Sequence, residues 1–233
     1  MQLPLEWLPA QGAPEQLILL LHGVGSNGAA MAPLAQALRA EFPQAAVLAP
    51  DAPNPFDGGG PGRQWFPVGG ITEANRPDRV AAALPALRSF VQAQQQRLRV
   101  APAATALVGF SQGAIMALEL AVRDDGLAGR VLAFAGRFAA LPDVAPRHTT
   151  VHLFHGAADP VIPAAHARAG LEHLGALRGD ATVDIAEGIG HELHPVLVQC
   201  ALQRLRTHIP LRTWQAALGA APAPRDGSED PDD

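Results

Sequence analysis

Cysteine is almost absent from this sequence, which has 233 residues and one thiol, Cys200. A single cysteine cannot form an intrachain disulfide, and it cannot build a metal site from several thiolate ligands. So low a cysteine content is typical of proteins from reducing compartments. We therefore expect a cytoplasmic protein.

Long apolar stretches and clusters of positive charge are also missing. The longest apolar run, residues 17–21, is about a quarter of the roughly 20 residues that a membrane-spanning helix needs. The first ten residues have neither a basic start nor a continuous apolar core, so they do not resemble a signal peptide. The net charge of -5 is spread along the chain without a block of lysine and arginine. These absences argue against stable membrane insertion and against nucleic acid as a partner.

The residues that are present suit a folded domain. Hydrophobic residues make up 48% of the chain and charged residues 17%, so a sizeable core can form. The length is within the range of one compact domain. After residue 219 the sequence becomes rich in alanine and proline and then acidic, a composition that cannot bury apolar surface. We predict one domain over residues 1–219 and a disordered acidic tail over residues 220–233.

Short apolar runs alternate with longer helical patterns along this domain. Such alternation is typical of the α/β class, in which a mostly parallel central sheet has helices on both faces. The runs are continuously apolar, which indicates strands buried on both sides. The predicted strands are residues 17–21, 45–49, 105–109, 130–134, 151–154 and 182–186, with residues 5–8 as a further edge strand. The predicted helices are residues 29–41, 78–99, 112–123, 163–174 and 195–208.

One long connection, residues 50–77, interrupts the alternation. It carries five prolines before its closing Pro77, a run of three glycines and the aromatic pair Trp65 and Phe66. Structureless connections of this length are uncommon unless they serve a site. A surface insertion is the alternative, because glycine and proline alone indicate only a loop. The two aromatic residues favour a packed loop near a functional site.

A Gly-x-Ser-x-Gly pattern at residues 109–113 is the clearest functional signal. It follows one predicted strand directly and leads into the predicted helix at 112–123. A serine on such a sharp turn exposes its hydroxyl at the edge of the sheet, and the small residues on either side let strand and helix pass closely. A lone match is often only a structural serine. The flanking strand and helix favour Ser111 as a nucleophile.

A serine hydroxyl is a weak nucleophile and needs a base that is itself oriented by an acid. In strand, turn and helix sites of this kind, the chain order is serine, acid and then histidine. Asp159 follows the predicted strand at 151–154 and is the candidate acid. The alternative is that Asp159, which precedes Pro160, only caps the next helix.

The candidate base is His191, in a loop with two glycines after the last predicted strand. Its position satisfies the required chain order. His194 is the nearest alternative, but Pro195 after it indicates the start of the final helix, where a histidine more often serves capping or packing. No pair among the other histidines has the spacing of metal ligands, so we predict no metal.

Acyl transfer also requires hydrogen-bond donors for the oxyanion that forms on the substrate carbonyl. In sites of this kind, the donors are the N–H of the residue after the nucleophile and an N–H from a loop after an early strand. Gln112 and Val24 are the candidates, because Val24 lies between two glycines directly after the strand at 17–21. A phosphate-binding glycine loop is a weak alternative for the same residues. We predict no cofactor.

Together these motifs resemble the phospholipase/carboxylesterase family, which includes acyl-protein thioesterases, and especially its small bacterial esterase branch. The resemblance covers roughly residues 16–209 and rests on four segments in order, at 20–25, 109–113, 155–160 and 190–191. It implies the α/β-hydrolase fold, a triad of Ser111, Asp159 and His191, and an oxyanion hole formed by the amides of Val24 and Gln112.

The resemblance also extends to Trp65 and Phe66, which match a Trp-Phe segment that lines the acyl-binding groove in that family. They are therefore the candidate substrate-binding residues. Residues 135–138 depart from the Trp-containing segment that is usual in the thioesterase members. The family often forms homodimers, which implies the same assembly as an expectation for this chain.

The function implied is a serine carboxylesterase that hydrolyses short- to medium-chain esters through an acyl-enzyme intermediate. Members of the family act on carboxylic esters, thioesters or lysophospholipids, so an acyl thioesterase or a lysophospholipase is the alternative. The partner is then a small-molecule ester or thioester. From another class, a non-catalytic binding module on the same fold is a further alternative, since a fold does not guarantee an activity.

Overall fold

Seven strands form one sheet in the computed structural model, which describes residues 4–219. In chain order the strands are β1 (Leu5–Trp7), β2 (Gln16–Leu21), β3 (Ala45–Ala49), β4 (Asn54–Pro55), β5 (Arg63–Gln64), β6 (Thr105–Phe110), β7 (Arg130–Phe134), β8 (Thr150–Gly156) and β9 (Ala181–Ala186). The order across the sheet is β1-β3-β2-β6-β7-β8-β9, and β4 pairs with β5 separately. Only the edge strand β1 runs antiparallel to its neighbour in the large sheet.

Both faces of this sheet are covered by helices. The helices are α1 (Ala32–Glu41), α2 (Arg76–Leu98), α3 (Gln112–Arg123), α4 (Ala165–Ala176), α5 (Pro195–Thr207) and α6 (Leu211–Gly219). Successive side chains of a strand point to opposite faces. In β2, Leu17 and Leu19 therefore join a core with α2, α3 and α4, whereas Ile18 and Leu20 join a second core with α1 and α5. The predicted α/β class is confirmed.

The predicted strands and helices match the observed ones to within a few residues, with three differences. A short 3-10 helix, Gly28–Met31, replaces the first turn of the helix predicted at 29–41. The ribbon of β4 and β5 was not predicted, because two paired residues per strand leave no periodic pattern. Helix α6 was also not predicted, and none of its residues is buried. Leu211, Trp214 and Leu218 do have the spacing of one helix face, but this face stays exposed.

Parallel strands bring the loops after β2, β6, β8 and β9 to one edge of the sheet. This edge collects the carboxyl ends of the strands, which is where ligands bind in open α/β sheets. The predicted tail at 220–233 lies outside the described residues, so the domain boundary at residue 219 stays a prediction. Among residues 4–219, no helix has both the length and the apolar character needed to cross a membrane.

Candidate active site

Ser111 occupies a strained turn between β6 and α3. Its φ of 53° and ψ of -115° lie outside the regions that residues with a side chain normally adopt. Such a conformation costs on the order of 1–3 kcal/mol and persists only where the surroundings enforce it. Here the Ser111 N–H donates to the Phe134 carbonyl in β7 at 2.9 Å. The strain thus lies at the residue that the sequence pattern identified as the nucleophile.

Two glycines make this turn sterically feasible. A Cβ on Gly109 would lie 2.4 Å from the carbonyl carbon of Gly113. A Cβ on Gly113 would lie 2.1 Å from the Leu21 carbonyl oxygen at the end of β2. Real Cβ atoms do not approach other atoms so closely, so the strand and the helix can only cross here with glycine at both positions.

The three candidate triad residues form one hydrogen-bonded chain. The Ser111 hydroxyl donates to His191 Nε2 at 2.9 Å, and His191 Nδ1 donates to Asp159 Oδ2 at 2.7 Å. The two loops that carry Asp159 and His191 are also joined, because the Ala158 N–H donates to the Ile189 carbonyl at 2.9 Å. His194, the alternative base, lies at the start of α5, where its ring accepts from the Val196 N–H at 3.3 Å.

Asp159 is buried and uses its two carboxylate oxygens differently. Oδ2 faces His191, whereas Oδ1 accepts from the N–H groups of Val161 and Ile162 at 2.8 and 2.9 Å. Burial opposes ionisation, but the hydrogen bonds from His191 and the two amides outweigh it, so the pKa of Asp159 is lowered. The carboxyl therefore stays charged at neutral pH. Helix α4 begins only at Ala165, so Asp159 orders a local turn and does not cap that helix.

His155 is a second histidine on the same carboxylate, and the sequence analysis did not single it out. Its side chain is buried, and its Nε2 lies 2.6 Å from the Ile162 carbonyl and 3.3 Å from Asp159 Oδ2. A carbonyl can only accept, so Nε2 carries a hydrogen. Burial lowers the pKa of His155 and keeps the ring neutral. The ring thus stabilises the turn from Asp159 to Ile162. In the sequence, the only sign of this role was that His155 stands near the end of β8, four residues before Asp159.

His22 controls the peptide that carries the candidate oxyanion donor. The Ala52 N–H donates to His22 Nε2 at 3.0 Å, so the hydrogen lies on Nδ1, which is 2.7 Å from the Gly23 carbonyl. Burial lowers the pKa of His22, which favours this neutral form. In a planar trans peptide, the carbonyl and the following N–H point in opposite directions. The bond to Gly23 therefore turns the Val24 N–H away from His22.

Gln112, the other candidate donor, is the first residue of α3. The N–H groups of a first helical turn have no acceptor within the helix, so the Gln112 N–H is available to a ligand. Its side chain is buried and holds the long loop. Gln112 Oε1 accepts from the Trp65 N–H at 2.7 Å, and Gln112 Nε2 donates to the Phe66 carbonyl at 2.8 Å.

The loop at 50–77 is packed, as its aromatic residues suggested. Trp65 is 1% exposed and Phe66 2%, and the Trp65 indole N–H donates to the His22 carbonyl at 2.8 Å. Almost none of either side chain reaches solvent. Trp65 thus supports the loop after β2 that carries Val24, and Phe66 is held by Gln112. Direct contact of either residue with substrate stays a prediction.

The glycines around Val24 are already engaged within the protein. Gly23, Gly25 and Gly28 have the spacing Gly-x-Gly-x-x-Gly of a dinucleotide-binding loop. However, the Gly28 N–H donates to Asp51 Oδ1 at 2.7 Å. This N–H is therefore not available to a phosphate group, which the nearby carboxylate would also repel. The Gly25 N–H donates to the Arg63 carbonyl at 2.8 Å. This arrangement fits an oxyanion loop better than a cofactor loop.

The fold and this site define a class, the α/β-hydrolases, in which a serine on a strand-to-helix turn meets a histidine and an acid from later loops. A family model described as Phospholipase/Carboxylesterase matches residues 8–209. The chain belongs to the phospholipase/carboxylesterase family. The family resemblance predicted from the sequence is therefore confirmed.

Individual relatives agree with this assignment. Esterase YpfH of Escherichia coli (strain K12) is 47% identical over 204 residues, which cover 88% of both chains. The crystal structure of esterase PE8 superposes with a TM-score of 0.80 at 31% identity, covering 88% of this chain and 98% of that one. Acyl-protein thioesterase 1 of Saccharomyces cerevisiae is more distant, at 28% identity over 64% of this chain and 72% of its own.

Proposed function

We propose that this protein is a serine carboxylesterase in which Ser111 is the nucleophile, His191 the general base and Asp159 the residue that orients the base. The observation that carries the proposal is the continuous hydrogen-bonded chain from the Ser111 hydroxyl through His191 to Asp159. A serine whose hydroxyl donates to an oriented imidazole is activated for attack on a carbonyl. The family membership supports ester hydrolysis as the reaction.

Acylation begins when His191 Nε2 takes the proton from the Ser111 hydroxyl as Oγ attacks the ester carbonyl. The tetrahedral intermediate collapses, the bond to the alcohol oxygen breaks, and His191 returns the proton to that oxygen. In the second half, His191 takes a proton from water while the water oxygen attacks the acyl-enzyme. His191 then returns this proton to Ser111 Oγ as the bond between Oγ and the acyl carbon breaks, and the carboxylic acid leaves. Asp159 holds Nδ1 protonated throughout, which keeps Nε2 as the proton acceptor.

The amides of Val24 and Gln112 are the proposed oxyanion donors. The His22 bond to the Gly23 carbonyl and the Gln112 position at the start of α3 each support a fixed amide direction. Preorganised donors need no rearrangement as charge develops, and one such donor is worth about a hundred- to a thousandfold in turnover.

Thioester hydrolysis is the second candidate, because the same triad and donors serve both reactions. The acyl-protein thioesterases found among the relatives are below 30% identity, whereas an esterase is 47% identical. This difference favours oxygen esters. Oxygen and sulfur esters of equal acyl length would separate the two substrates directly.

The test is hydrolysis of p-nitrophenyl esters, from acetate to palmitate, by wild-type protein and by Ser111→Ala. We expect Ser111→Ala to lose about 10⁴- to 10⁶-fold in turnover while it stays folded, because only the nucleophile is removed. Ser89→Ala is the matched control, since Ser89 lies exposed on α2 and should keep full activity.

A fluorophosphonate probe distinguishes the esterase from a non-catalytic binding module. Such probes react with activated serines, so the probe should label wild-type and Ser89→Ala protein but not Ser111→Ala. A folded Ser111→Ala that still hydrolyses these esters would exclude Ser111 as the nucleophile. A wild type that neither hydrolyses esters nor reacts with the probe would favour a binding module.

A further inference from the structure

A small cavity has two wall residues that are hydrogen-bonded to residues of the proposed triad. Its volume is about 290 Å³, and Ile115 and Ile162 form part of its wall. Ile115 is one helical turn after the nucleophile, since its N–H donates to the Ser111 carbonyl at 3.1 Å. Ile162 is held by Asp159 through its own N–H. One wall residue is thus fixed to the backbone of the proposed nucleophile, and another to the side chain of the proposed orienting acid.

Three charged side chains, those of Glu73, Arg76 and Arg137, also line this cavity. Arg137 Nη2 donates to Glu73 Oε2 at 2.6 Å, and its Nη1 lies 3.2 Å from Glu73 Oε1. Arg76 Nη1 reaches the same Oε1 at 2.5 Å. The guanidinium groups of Arg76, at the start of α2, and of Arg137, in the loop after β7, therefore share the Glu73 carboxylate. His166, Val161 and Pro163 make up the remaining lining. Burial together with Arg137 lowers the pKa of His166, so its ring adds no charge at neutral pH.

The three charged residues differ sharply in exposure. The side chains of Arg76 and Arg137 are each 16% exposed, whereas that of Glu73 is 68% exposed. The two cations belong to the cavity wall, and the carboxylate reaches them from solvent. Together they leave one positive charge in excess at the cavity, although the whole chain carries a net charge of -5.

We propose that this cavity is a substrate subsite for a carboxylate group, recognised by Arg137 and Arg76, with the Glu73 carboxylate occupying it when no substrate is bound. The inference rests on the proposed esterase function and specifies its substrate class. An ester that carries a second, ionised carboxyl group would displace Glu73 and take over its hydrogen bonds.

Three physical arguments support this exchange. The forked guanidinium of Arg137 already binds a carboxylate through both terminal nitrogens, which is the geometry that arginine prefers. The Glu73 side chain is 68% exposed, so it can swing into solvent while an incoming carboxylate replaces its hydrogen bonds to the two arginines. The volume is at or below the small end of ligand pockets, which start near 300 Å³, so it suits a short ester better than a fatty acyl chain.

The test compares esters that differ only in the carboxyl group. For the acyl side, the mono-p-nitrophenyl ester of adipic acid is compared with p-nitrophenyl hexanoate, which has an equally long acyl chain. For the alcohol side, meta-carboxyphenyl butyrate is compared with phenyl butyrate. The measured quantity is the ratio of kcat/KM for the anionic ester to that for the neutral ester. We expect this ratio to be about tenfold in wild type for one of the two pairs, the size of one charge-assisted hydrogen bond.

Variants assign the preference to named residues. Arg137→Gln should bring the ratio close to one, Arg76→Gln should lower it partly, and Glu73→Gln should raise it because the competing carboxylate is gone. Arg137→Lys, which keeps the charge but not the fork, should retain part of the preference. Arg88→Gln is the matched control, since Arg88 pairs with Asp124 away from the cavity, and its ratio should equal that of wild type. Added salt should reduce the wild-type ratio by screening the charges.

The outcomes separate the two proposals. A wild type that cleaves the neutral esters, but shows no preference for either anionic partner, would overturn the carboxylate subsite and leave the esterase intact. The subsite would equally be excluded if folded Arg137→Gln kept the wild-type ratio. A wild type that cleaves none of the four esters would overturn the esterase function, and the subsite with it.

Discussion

The turn at residues 109–113 and the loop at residues 50–77 serve the same edge of the sheet, but they are held by different contacts. The turn is enclosed by backbone atoms, with 2.1 Å between a hypothetical Gly113 Cβ and the Leu21 carbonyl oxygen. The loop is tied by separate hydrogen bonds, among them those of Gln112, Arg63 and Asp57. One added carbon atom on Gly113 would disrupt the closely packed turn as a whole. The loop would lose only part of its stability when one of its several hydrogen bonds is removed.

The two regions also differ in how their parts depend on each other. The strained Ser111 conformation is maintained by neighbours from β6, β7 and α3, which form one packed unit. The loop depends on the turn, since Gln112 holds Trp65 and Phe66, and Trp65 in turn holds the His22 carbonyl. Damage to the turn should therefore also reach the loop after β2 that carries Val24, whereas damage to a loop contact that does not involve the turn should stay local.

The largest effect is expected from Gly113→Ala. The added methyl group would collide with the end of β2 and with the His22 carbonyl. The turn that carries Ser111 and the loop that carries Val24 would therefore have to move apart. Misplacement by about 1 Å can cost a hundredfold in rate, and we expect at least about that loss in kcat together with a lower Tm. Gly175→Ala is the matched control, because a Cβ there meets nothing within 4 Å. An active Gly113→Ala of wild-type stability would contradict the steric account.

A smaller effect is expected from Gln112→Met, which removes the contact between turn and loop at similar volume. The Trp65 N–H and the Phe66 carbonyl lose their partners, and each unsatisfied buried group costs about 1–3 kcal/mol. Because the loop supports His22, kcat should also fall about tenfold.

The matched control for Gln112→Met is Gln95→Met. Gln95 is also buried and donates to Thr105 Oγ1 and to the Leu127 carbonyl, at a distance from the site. Gln95→Met should lose stability while its kcat stays unchanged. If both variants lost stability and neither lost activity, the Gln112 side chain would have only a structural role.

The smallest effect concerns the pH dependence of stability through His22. Burial lowers the pKa of His22 below its ordinary value of 6.5. Below that pH the unfolded chain binds a proton that the folded protein does not, so the free energy of unfolding decreases as the pH falls. His22→Gln places an acceptor that does not titrate near the Ala52 N–H. Its stability should therefore decline less steeply.

Urea unfolding of both proteins between about pH 8 and pH 5 measures this difference. The slopes against pH are compared rather than the absolute values, because His22→Gln can change stability at every pH. Equal slopes would show that His22 does not link the fold to protonation.

Much of this molecule could be predicted from local sequence. Apolar runs predicted the inner strands β2, β3, β6, β7 and β8, because a strand covered on both faces is mostly apolar. The edge strands β1 and β9 were also predicted, although neither contains a buried residue. The pattern at 109–113 identified Ser111, because a strained turn between strand and helix requires small residues at fixed positions. The chain order of Ser111, Asp159 and His191 selected the same three residues that the structure joins by hydrogen bonds.

Other features left no local pattern. The partners of His155 and His22 are backbone groups that only the folded chain brings near, Ile162 across a turn and Ala52 from another loop. The ribbon of β4 and β5 is too short for periodicity. The pairing of Arg137 with Glu73 joins residues 64 positions apart.

The sequence by itself thus determined the fold class, the positions of the main elements and the identity of the candidate triad, because periodic burial and a constrained turn are local requirements that each segment meets alone. Tertiary structure alone decided which buried histidines hold which carbonyls, how Gln112 joins the loop to the turn, and how Arg76 and Arg137 meet at the Glu73 carboxylate. These contacts depend on distances between segments far apart in the chain, and such distances exist only after the sheet has brought its loops to one edge.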